Sequence, residues 1–198
     1  MSIYLELLKL AFNEVDTSYY SFYAFHFSNE QYYIDPESLD RYEQFAERNF
    51  AYELYHQYKI IIEAAINKEI FNGLQLNGEI TKIGFNDTLV QQNVIIPDLV
   101  LHKSQLDVNS ENQKFFAEVK VNPGADLEKD IKKLLFAVTA PLNFNEGVLI
   151  CVNISIDNLQ KQVKNYHRIS EYTTILKKIF VLHPDLDEYK SFYEIVNS

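Results

Sequence analysis

The chain has 198 residues, with 47% hydrophobic and 23% charged, which suits one folded domain with a sizeable core and excludes both two full domains and a disordered polymer. A formal charge of -10 runs against a simple electrostatic nucleic-acid binder, whose affinity rests on Lys and Arg, although carboxylates gathered around a metal also add negative charge. No long apolar run is present, and Glu6, Lys9 and Glu14 interrupt the first fifteen residues, so neither export nor membrane insertion is expected.

In chain order, Tyr4, Leu7, Leu8 and Ala11 recur at helical spacing and predict a short helix over Ile3–Phe12. Thr17–Asp35 is crowded with Tyr and Phe without one clean period and reads as packing, with a base-stacking platform as the sharper alternative. From Ser38 to about Asn67, Phe45, Phe50, Leu54, Tyr58, Ile61 and Ala65 predict one long helix or two. A first strand is expected over Leu74–Ile83, then strands over Val94–His102 and Lys114–Val121, joined as a hairpin through the polar stretch Lys103–Gln113. After Asn122-Pro123-Gly124, the stripe Leu127, Ile131, Leu134, Leu135 and Val138 predicts a helix over Ala125–Ala140. Gly147–Asn153 follows as a buried strand, Ile156–Arg168 as a polar helix, and Lys178–Leu182 as a last strand. This alternation calls for an α/β protein with a mixed central sheet. The lone Cys151 falls in the buried strand and reads as an inert thiol in a reducing cytoplasm. No Cys or His pairs have zinc spacing, and His26, His102, His167 and His183 read as structural.

One constellation carries chemistry. Strand side chains alternate faces, so Glu118 and Lys120 share a face while Ala117, Val119 and Val121 take the other. Symmetric pairing of the hairpin about Val108 sets Asp98 opposite Glu118. Two carboxylates and an ammonium group at the end of an apolar sheet are costly unless a ligand uses them, and a hard divalent cation is the natural one.

Pro97-Asp98 followed one hairpin later by Glu118-Val119-Lys120, with a helix and a strand behind them, resembles the PD-(D/E)xK superfamily of restriction-endonuclease-like nucleases. The resemblance covers Asn49–Asn153 and implies an αβββαβ core there, with a mixed sheet flanked by helices, inside a single domain spanning 1–198 whose residues 1–37 form a helical and aromatic extension. It implies a nuclease hydrolysing phosphodiester bonds, in DNA rather than RNA, with Mg²⁺ or Mn²⁺ as cofactor. Asp98, Glu118 and the Val119 carbonyl would bind the metal, Lys120 would assist the attacking water, and Glu53, on the helix before the first strand, would be a further metal or water ligand.

His56 and Gln57 share the Glu53 helix face, His56 as a structural histidine or a base, and Gln57 as a phosphate contact or a brace for Glu53. Lys129, Lys132 and Lys133 on the next helix either touch the nucleic-acid backbone or form a solvated face. The competing reading is a catalytically inactive nuclease-fold protein acting as a partner-binding or regulatory subunit, favoured by the acidic charge and the aromatic N-terminal stretch. A protein partner or a homodimer is an open source of targeting.

Overall fold

The structure, a computed structural model, describes residues 1–20, 36–78, 96–103, 109–167 and 173–198. Most of the aromatic stretch, the second half of the expected first strand and the middle of the hairpin loop lie outside them.

Helix α1 (Ile3–Glu14) buries Leu5, Leu8, Ala11 and Phe12. Helix α2 (Pro36–Glu63) is one continuous helix of 28 residues, starting on a proline whose missing N–H is no loss in a first turn. Its buried stripe, Phe50, Ala51, Leu54 and Tyr58, packs with that of α1. The Tyr58 hydroxyl fastens the two helices by donating to the Tyr4 carbonyl at 3.0 Å. A 3-10 turn, Ala65–Asn67, ends this helical stretch.

Six strands follow in the described residues: β1 (Gln75–Gly78), β2 (Leu99–His102), β3 (Gln113–Lys120), β4 (Glu146–Cys151), β5 (Ile179–Leu182) and β6 (Lys190–Ser191). They lie side by side in sequence order. β1, β2 and β3 pair antiparallel, β3, β4 and β5 pair parallel, and β6 is antiparallel to β5. Parallel neighbours need a crossover. Helix α3 (Glu128–Ala137) supplies it between β3 and β4; α4 (Ile156–His167) and the one-turn α5 (Thr173–Leu176) lie between β4 and β5.

The sheet is covered on both faces. α1 and α2 pack on Leu99, Leu101, Phe115, Ala117, Val119, Val148 and Ile150. α3, α4, α5 and the C-terminal α6 (Phe192–Asn197) pack on Val100, Phe116, Leu149, Cys151, Ile179 and Val181. Gly147 lets α3 sit close, since a Cβ there would stand 3.3 Å from Val138 Cγ1 and from Ile179 Cγ1. The chain is therefore a mixed α/β protein with a sheet between two helical layers. No helix among the described residues is long and apolar enough to cross a membrane.

The sequence did not predict α5, β6 or α6. A two-residue strand and helices of four and six residues are too short to show a period. α6 is nevertheless well capped: the Ser191 hydroxyl accepts from the Glu194 amide at 3.2 Å, and the Glu194 carboxylate accepts from the Ser191 amide at 2.7 Å.

Candidate active site

The site forms where β3 outruns β2. The hairpin pairs Leu99 with Ala117, Val100 with Phe116 and Leu101 with Phe115, all symmetric about position 108, before a bulge shifts His102 onto Gln113. Asp98 is therefore level with Glu118, one residue beyond the ladder, as the sequence predicts. With no β2 partner left, the Val119 amide donates to the Asp98 carboxylate at 2.7 Å. Backbone groups of one strand residue point the same way, so the Val119 carbonyl opens onto this same edge.

On the α3 side of β3, Glu118 is 1% exposed and its Oε2 accepts from the Lys133 ammonium at 2.6 Å. Its other oxygen, Oε1, is buried and has no hydrogen-bond partner among the described residues. Lys120 Nζ lies 2.9 Å from Glu47 Oε1 and 3.4 Å from Asp130 Oδ2, and Asp130 Oδ1 is 3.6 Å from Lys133 Nζ. The cluster thus holds four carboxylates, Asp98, Glu118, Glu47 and Asp130, against two ammonium groups, a formal excess of two negative charges.

Burial dominates the titration of Asp98, Glu118 and Glu47. It lifts the Asp98 carboxyl from its ordinary 3.8 to about 6, with the Val119 amide pulling the other way and the Glu47 charge adding to the rise. Burial and then the neighbouring Asp98 charge push Glu118 well above the usual carboxylate range despite Lys133. Glu47 is raised by burial against the pull of Lys120. Burial alone would lower Lys120, but Asp130, Glu47 and Asp98 outweigh it and hold the side chain above the ordinary lysine range. Lys133 is raised in the same way, chiefly by Glu118.

Asp98, Glu118, Val119 and Lys120 are thus brought together. Glu53 is not part of the cluster: it accepts from the Gln57 amide at 2.6 Å, and its charge raises the Tyr19 hydroxyl. Glu47 is the carboxylate of α2 that reaches Lys120. Six residues of α-helix turn through about 240° beyond one full circle, so Glu47 and Glu53 leave on different sides. Gln57 therefore braces Glu53, and His56 is exposed on the same helix. Lys129 is exposed, Lys132 is exposed and paired with Glu128, and only Lys133 of the three lysines enters the cluster.

Glu47 and Asp130 are the residues that the sequence reading missed. Their signal was a carboxylate on an apolar stripe: Glu47 lies three and seven residues before Phe50 and Leu54, and Asp130 lies three after Leu127 and four before Leu134. Among the described residues, no three His, Cys, Asp or Glu side chains converge as a ready metal shell. Cys151 is buried and its thiol is pushed up by burial, which suits the inert reading.

The chain matches no family model, no curated protein and no solved structure.

Proposed function

We propose that the chain is a metal-dependent nuclease of restriction-endonuclease-like architecture, hydrolysing phosphodiester bonds in DNA with Mg²⁺ or Mn²⁺. The observation that carries this reading is the bare, buried Oε1 of Glu118 on the same sheet face as Asp98. A carboxylate oxygen removed from water without a partner is expensive, and two neighbouring carboxylates in a dry site each resist ionisation. A divalent cation would relieve both costs. The order of α2, β1, β2, β3, α3 and β4 further supports the αβββαβ expectation.

The donor set fits a hard ion. Asp98, Glu118 and the Val119 carbonyl offer oxygens only, and Mg²⁺ commonly takes one or two carboxylates and fills its octahedron with water and substrate phosphate. Bound there, such an ion would supply Lewis acidity toward a phosphate oxygen and a more acidic water. The chain's own residues would do the rest. The Val119 amide fixes the Asp98 carboxylate, and Asp130 and Glu47 hold the Lys120 ammonium from two sides. Since those acids keep Lys120 protonated, its role is to orient water and offset charge developing on phosphorus, rather than to accept a proton. Glu47 takes the place that the resemblance gave to Glu53, as a positioning residue.

The test is cleavage of single- and double-stranded DNA and of RNA with Mg²⁺ or Mn²⁺, using wild type, Asp98→Asn, Glu118→Gln and Lys120→Met. Cleavage by wild type that each variant loses supports the reading. Undiminished cutting by the variants, or no Mn²⁺ uptake by wild type at millimolar ion, removes it and favours a partner-binding member of this architecture.

A further inference from the structure

Lys133 and Lys120 look alike in sequence but not in setting. Lys120 is 19% exposed and clasped between Glu47 and Asp130. Lys133 is 34% exposed, holds one oxygen of Glu118 and leaves the other bare. It also has a second acceptor in waiting, Asp130 Oδ1 at 3.6 Å. An ammonium that leaves Glu118 is thus not stranded, because Asp130 and solvent can both take it.

From this geometry we infer that Lys133 is a built-in competitor for the divalent ion: its ammonium occupies one oxygen of Glu118, and an ion entering between Asp98 and Glu118 displaces it. The inference rests on the metal-dependent reading above. Exchanging one positive charge for two also reduces the cluster's negative excess, which favours a divalent ion over a monovalent one. Lys120 cannot play this part, since leaving would expose two carboxylates to each other.

Calorimetric titration of Mn²⁺ alone into the full chain tests this, with wild type, Lys133→Met and Lys133→Arg, alongside thermal melting with and without the ion. Removing a competing charge a few ångströms from the ion should tighten Mn²⁺ binding by about tenfold or more in Lys133→Met. That variant should melt lower than wild type in chelator and recover with Mn²⁺. Lys133→Arg should bind Mn²⁺ several-fold more weakly, because a guanidinium can fork onto both carboxylate oxygens. Unchanged or weaker binding in Lys133→Met, with wild type still binding, overturns the competitor role and leaves the metal reading standing. If neither protein takes up Mn²⁺, both fall. Should Lys133→Met not fold, Lys133→Arg decides, and binding as tight as wild type or tighter refutes the inference.

Discussion

Asp98 should make the protein less stable as pH rises through the mildly acidic range, and the size of the effect follows from its surroundings. Burial above all lifts its carboxyl from 3.8 to about 6 in the folded chain, while the unfolded chain titrates near the ordinary value. Between about pH 4 and 6 the folded state keeps a proton that the unfolded state has lost, so this contribution to stability falls with rising pH. Below that window both states are protonated and the contribution is fully present; above it the contribution is gone. A rise of about two pH units corresponds to about 3 kcal/mol. Urea unfolding in chelator at pH 4, 5, 6 and 7, for wild type and Asp98→Asn, isolates the step as a difference between the two proteins. With a slope of about 2 kcal/mol/M, the two midpoints should move relative to each other by about 1.5 M across the series. A difference that stays constant, or in which wild type gains on the variant as pH rises, would refute the account of Asp98 as a buried, reluctant anion.

Lys120→Met leaves Glu47 and Asp130 without their shared counter-ion and should cost about 3–5 kcal/mol, read as a lower urea midpoint. Adding Glu47→Gln to that variant should restore part of the loss, and strict additivity of the two changes would argue that the pair is not coupled. For activity, Glu47→Gln should lower DNA cleavage by about tenfold or more, as expected when a group that orients a catalytic side chain is removed. Glu53→Gln should stay within about twofold of wild type in the same assay, and the opposite ranking would return Glu53 to the site.

The hairpin register was legible because two constraints agreed. Alternation put Glu118 and Lys120 on one face, and a polar connection centred on position 108 left one symmetric pairing, which the ladder from Leu99–Ala117 to Leu101–Phe115 follows. The α2 glutamate was not legible in the same way. Glu53 follows from the resemblance, which puts a glutamate on the helix before the first strand without fixing its turn, whereas Glu47 is selected by the core stripe it interrupts and by a strand end far away in sequence. Asp130 was passed over for a similar reason. Beside three lysines it looks like part of a solvated face, yet it lies one turn from Leu127 and Leu134 and is buried with them. Sequence patterns show which positions face inward; which inward charges meet depends on the tertiary fit of α2 and α3 against the end of β3.

The anchoring of Asp98 by a main-chain amide has a consequence for how this protein can change over time. Val119 holds Asp98 through a group that every residue except proline carries. Replacing this valine with another strand-compatible side chain leaves that anchor in place. A proline would remove it outright, and a single inserted or deleted residue within β2 or β3 would slide Asp98 away from its amide. The Asp98 anchor is therefore indifferent to the side chain at position 119, which only the packed core around it restricts, whereas it is sensitive to strand length.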